Sequence, residues 1–216
     1  MLIYFDKNKI NNGTDTEKVQ GNLHYLITSI ENQRDNEEKN VSTINLEKCK
    51  GKLQKESIIN VNETIYIVKI DIFEEGMKIS KIEYEIYNFL EGESLKKLDM
   101  TICKGIKIDL SIPVNINGDI SKYNVRSEYY NDICSKATSR NGTDIILDDR
   151  KKVFIENNMT LCEEDCELVS YNEINKKVKC SCFIKIKLPL MNELKFDKDK
   201  LYERFIDVNN FANIKI

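Results

Sequence analysis

The chain has 216 residues, 41% hydrophobic and 32% charged, which supplies real cores for one large domain or two small ones and excludes a disordered chain. A formal net charge of -3 with no basic stripe gives no electrostatic reason to expect nucleic acid. No run approaches the roughly 18 apolar residues of a membrane span, and the opening MLIYFDKNKI lacks the basic start and apolar stretch of a signal peptide. The expectation is therefore a soluble segment with no direct membrane insertion, whose entry signal, if it is secreted, lies outside these residues.

Residues 1–20 are polar, rich in Asn, Gly and Thr and without a sustained period, and are expected to be a lead-in or a partly ordered edge. NLHYLITSI (22–30) alternates as a strand, ENQRDNEEKN (31–40) reads as a long charged loop, and VSTINLEKC as a second strand running into Cys49. A short helix follows from Lys50 to Ser57. In ETIYIVKIDIF the residues Tyr66, Val68, Ile70 and Ile72 face one way and Lys69 and Asp71 the other, the pattern of a half-buried strand. EEGMK is a hairpin turn with Gly76 available for positive φ, and KIEYEIY returns with Ile82, Tyr84 and Ile86 on one side. After the turn LEGES, KKLDMTIC reaches Cys103 and GIKIDLSIPV alternates through Ile106, Ile108, Leu110 and Ile112 until Pro113 ends ladder donation. These strands predict a β-sandwich over residues 21–118.

NINGDISKYN (115–124) has linker composition, placing a boundary near Gly118. Beyond it, residues 123–190 read as a small cysteine-rich α+β module. SEYYNDIC would be a short helix capped by Ser127 and ending at Cys134, and LDDRKKVFIEN a second capped by Asp148. ELVSYN and KKVKCSC are two strands joined by NEINK. The second continues to Leu188, with Val178, Cys180, Cys182, Ile184, Ile186 and Leu188 on one face, and this strand is expected to pair on, against the sandwich, because that face needs apolar cover. In the tail, 191–216, DKDKLYERFIDV (197–208) is an amphipathic helix.

Cys49 and Cys103 each border a predicted strand and are expected to pair; closing a loop of that length contributes on the order of 4 kcal/mol by the chain-entropy estimate. Two buried free thiols are the alternative. The spacing from Cys162 to Cys182 is C-x3-C-x13-C-x-C, open to two readings: disulfides, or a four-thiolate zinc site. Cys180-Ser181-Cys182 is tighter than the usual zinc ligand pair. Residues i and i+2 of a strand share a face, so both sulfurs can meet partners on a neighbouring strand, which favours disulfides.

His24 is the only histidine and lies in a predicted strand, so no Ser-His-Asp or Cys-His arrangement and no histidine metal pair can be built. Phosphate-binding glycine loops are absent. The acidic clusters at 163–166, at Asp148 with Asp149 and at 196–200 lack calcium-loop spacing and read as solvated loops, so neither a metal nor a cofactor is expected. Asn12, Asn40, Asn62, Asn141 and Asn158 each begin an N-x-Ser/Thr triplet in a segment expected to be a loop or strand end, and are candidate N-glycosylation sites.

Two resemblances add to this. From Cys162 onward the spacing is similar to the second to fifth cysteines of an epidermal-growth-factor-like module, although the gap from Cys134 to Cys162 is too long and no sixth cysteine follows. With a hairpin-like register, the crossed pattern of those modules implies Cys162 with Cys180 and Cys134 with Cys166. Cys182 is then left to pair outside the chain, and the alternative leaves Cys134 as the odd one; three pairings are open for any four cysteines. More widely, YNDICSKATSRNGTDIILDDRK, NNMTLCEEDC and KVKCSC, with HYLITSIENQ, STINLEKC, IVKIDIFEEG, IEYEIY and IDLSIPVNI upstream, resemble a module of large, disulfide-rich surface proteins of ciliate-like protists. That resemblance covers most of the chain from residue 20 and implies a receptor- or adhesion-type ectodomain in a membrane-anchored parent. The functional expectation is a non-enzymatic extracellular structural or adhesive module, with other modules, other surface proteins and N-linked glycans as partners. The alternative is an intracellular zinc-stabilised interaction domain, with a hydrolase third.

Overall fold

In the computed structural model the described residues are 6–189, apart from 57, 61, 90–94, 117 and 140. The chain begins with α1 (Lys7–Asn11), whose first turn is closed by the Lys9 N–H donating to the Asp6 carboxylate, and continues into β1 (Thr16–Gln20) and β2 (Leu23–Ser29). Ser29 ends β2 and caps α2 (Ile30–Asp35), its Oγ accepting from the Asn32 N–H at 3.1 Å. A 3-10 turn (Asn36–Glu38), β3 (Thr43–Asn45) and α3 (Glu47–Lys55) lead to β4 (Tyr66–Ile72), β5 (Lys81–Phe89) and β6 (Leu95–Lys97). After a 3-10 turn (Met100–Cys103) comes β7 (Lys107–Pro113). A long excursion carrying α4 (Glu128–Asn131) and α5 (Leu147–Glu156) precedes β8 (Cys166–Asn172) and β9 (Lys177–Phe183).

The chain is mainly β, with two antiparallel sheets in the strand orders β1-β2-β4-β5-β6 and β3-β7-β9-β8. One buried cluster takes side chains from both: Ile67, Ile82, Tyr84 and Ile86 from the first, and Ile44, Ile108, Leu110, Ile112, Val178 and Cys180 from the second. Burying each such aliphatic side chain is worth about 1.5–3 kcal/mol. A second cluster lies on the opposite face of the first sheet, where Tyr25, Ile27, Tyr66, Val68 and Ile70 pack with Ile10 of α1 and with Leu188. Within the excursion a smaller knot forms. The Tyr130 and Phe154 rings meet edge to face, and the buried Arg150 guanidinium donates to the Ile145 and Tyr129 carbonyls.

Several expectations need correction. Of the two expectations for the polar start the edge holds and the lead-in does not: β1 pairs with β2 over five residues as an edge strand, a position that tolerates polar side chains on both faces. The charged loop 31–40 is largely helical: Asn32, Gln33 and Asn36 turn inward and are held by Asp15, Thr28 and the Ile44 N–H. The strand expected to reach Cys49 stops at Asn45, and Cys49 lies on α3. The strand β4 is buried on both faces, since it is central in its sheet and faces apolar cover on one side and the second sheet on the other.

The boundary near Gly118 does not separate two cores. Residues before it supply β3 and β7, residues after it supply β8 and β9, and the four form one sheet. The strand expected to end at Leu188 stops at Phe183, after pairing along its length with β7. The four-residue α4 ends before Cys134, and α5 has Ile146, not Asp148, at its cap position. The tail helix expected at 197–208 lies outside the described residues.

Candidate functional site

Two polar arrangements stand out, one sealed and one open. On β4 the side chains of Lys69 and Asp71 point into the space between the sheets, where both are buried. Their distance is 3.2 Å. Ser42, just before β3, completes the group. Lys69 Nζ donates to the Ser42 carbonyl at 2.6 Å and to its Oγ, and the Ser42 Oγ–H donates to Asp71 Oδ1 at 2.6 Å. Burial pulls the Lys69 ammonium below the ordinary lysine range, against the attraction of Asp71. Beside it Lys177 is displaced in the same direction, by burial first, while Glu37 opposes the shift and the charge of Lys69 adds to it.

A serine, a lysine of lowered basicity and a carboxylate are the parts of a nucleophile triad. Here Ser42 and Lys69 are 0% exposed, so no substrate reaches them, and the group ties β3 to β4. Sequence reasoning misses it by assigning Lys69 and Asp71 to a solvent face. The available signal is the Ile67 that shares that face, out of place beside water.

The open arrangement is the cysteine block. Cys162–Cys180 anchors the loop before β8 to the middle of β9, and Cys166–Cys182 joins residues directly opposite each other on the two strands. Cys49–Cys103 links α3 to the turn before β7. Cys134 is free and exposed. The expected Cys134–Cys166 bridge and unpaired Cys182 are thus corrected. The β8–β9 register sets Cys166 against Cys182, which leaves Cys134, in the excursion that precedes β8, as the free thiol. Next to this block Glu163 receives 2.7 Å and 2.5 Å bonds from Lys185 and accepts from the Ile82 N–H at 3.1 Å, clamping the cysteine loop onto β5. The clamp borders a cavity of about 730 Å³ lined by Glu74, Met77, Lys81, Glu164, Phe183 and Ile186 among others.

Of the other residues singled out, His24 lies on β2 with its ring 3.3 Å from the Glu17 carboxylate, and Asp148 and Asp149 occupy the first turn of α5. The 196–200 cluster lies outside the described residues. Asn12, Asn40, Asn62, Asn141 and Asn158 are all exposed. Asn158, at positive φ, donates from its amide towards the Met77 sulfur at 3.2 Å. No group of three or more metal-ligating side chains, and no helix long and apolar enough to cross a membrane, occurs among the described residues. Three disulfides point to an oxidising environment. Comparison with protein-family models, with curated proteins and with solved structures yields no match for this chain.

Proposed function

We propose that this chain is a non-enzymatic structural or adhesive module of a larger cell-surface protein, built as a β-sandwich whose second sheet is completed by the disulfide-stapled hairpin. The observation that carries this reading is the pairing of six cysteines into three bridges, two of them with both partners in the shared core and the third with Cys182 in it and Cys166 packed against it. Such covalent ties suit a domain that must stay folded outside a cell, without chaperones. Exposed N-x-Ser/Thr asparagines add candidate glycan sites, and the sealing of the Ser42–Lys69–Asp71 group favours a structural over a hydrolytic role. The resemblance to protist surface modules supports the same reading, with neighbouring modules or other surface proteins as partners. The zinc-stabilised alternative loses ground because Cys162, Cys166, Cys180 and Cys182 are consumed in two bridges.

A thiol count with metal analysis on the purified, unreduced protein tests the reading. One reactive thiol, at Cys134, and no stoichiometric zinc is the expected result; seven reactive thiols with one bound zinc overturns it.

A further inference from the structure

We propose that Cys166–Cys182 is a redox latch, a bridge that a small thiol opens in the folded protein while the other two stay closed. The inference rests on the settings of the three bridges and is independent of the adhesive reading. Cys49, Cys103 and Cys180 are 0% exposed, and Cys162, although it borders a surface cavity, is only 5% exposed, so both of those bridges are nearly covered. Cys166 is half-buried. It heads β8, an edge strand with a neighbour on one side only, and it lines both the cavity of about 730 Å³ and a second of about 380 Å³ on the side of Tyr123, Arg126 and Phe154. A thiolate can therefore reach its sulfur with every strand in place, and access is a principal determinant of exchange rate.

The exchange balances with a low-molecular-weight thiol as co-reactant. Its thiolate bonds to Cys166 Sγ, the S–S bond breaks, and the electron pair leaves on Cys182 Sγ, which takes up a proton. A second thiolate attacks the mixed disulfide and releases the Cys166 thiolate, which is then protonated, so that two small thiols become one disulfide as the bridge is reduced. The fold confines the structural effect of opening. Cys162–Cys180 still holds the loop, and the β8–β9 ladder is already interrupted between Leu168 and Ser170. Opening thus frees Cys166–Leu168 as a unit, next to the Glu163–Lys185 clamp, and leaves the ladder beyond the bulge intact.

The test exposes the whole unreduced protein to 2-mercaptoethanol without denaturant, quenches with iodoacetamide at intervals, and maps the peptides. The Cys166–Cys182 bridge should open at least tenfold faster than either other bridge, with the first adduct on Cys166 and the free thiol on Cys182. Amide exchange should rise at 166–168 and stay unchanged from Ser170 on. Opening of Cys162–Cys180 first, opening of all three together with loss of the far-UV spectrum, or the adduct on Cys182 overturns the proposal. A Cys166→Ser/Cys182→Ser variant should keep the native spectrum and lose the fast phase. Failure of that variant to fold also overturns the proposal, because a latch must be dispensable to the fold.

Discussion

A lysine ammonium without water around it survives in a fold only if its neighbours replace that water, and at Lys69 they do so through Asp71 and both oxygens of Ser42. Removing one partner strands the other charge, so Asp71→Ala should cost about 3–5 kcal/mol, read from urea midpoints. Replacing the whole group (Ser42→Ala, Lys69→Met, Asp71→Leu) should cost less than that single change, because no unpaired charge or hydroxyl is left behind. The pH dependence has a definite sign. Since burial lowers Lys69 in the folded state, the unfolded chain binds the extra proton between that lowered value and about 10.4. Stability therefore rises with pH across this window. Tyrosines act in the opposite sense: burial pushes Tyr130 up to about 12, so its unfolded form ionises first and stability falls above pH ~10. Midpoints measured from pH 8 to 9.5 should climb in the wild type and climb less in Lys69→Met. An unchanged slope in the variant would reassign the effect to Lys177.

The hairpin of β8 and β9 shows what a residue pattern conveys about an element and what it withholds. The shared face of Cys180 and Cys182 is implied by the two-residue strand period, and both side chains are buried. Their partners are not, because the β8–β9 register is fixed by where the turn begins and by the bulge, and neither is written in the alternation. The turn itself puts Lys176 at φ 54 while its carbonyl accepts from the Val114 N–H at 2.8 Å. A side chain there is strained where glycine is not. Lys176→Gly should accordingly leave the fold unchanged and raise stability by up to about 1 kcal/mol, measurable as a shift in urea midpoint at constant slope. At Gly76 the same logic is legible in the sequence, and the residue has φ 81. The hidden elements are β1 and α2. The first is too polar to alternate, and the second buries two amides, Asn32 and Gln33, beside a single apolar side chain, Ile30, so hydropathy registers neither.

Across the whole molecule, the linker composition at 115–124 suggests two bodies, yet the hydrogen bonds of β7 cross that segment to β9 along seven residue pairs. Composition reports local chain freedom, whereas cooperativity is set by which strands share a sheet and a core, and those contacts are remote in sequence. Residues 21–118 alone would keep β3 and β7 but lose the β9 and β8 that cover Leu110 and Ile112 through Val178 and Cys180. A β3–β7 pair limited to three residues is too short to hold that face together. The unreduced protein should consequently unfold in a single transition by circular dichroism and by tyrosine fluorescence, with coincident midpoints. A fragment ending at residue 118 should show no cooperative transition at all. A fragment that melts cooperatively and with native tyrosine fluorescence would mean that the first sheet and α3 suffice as a folding unit, and that the cysteine hairpin is an addition to the fold instead of half of its second sheet.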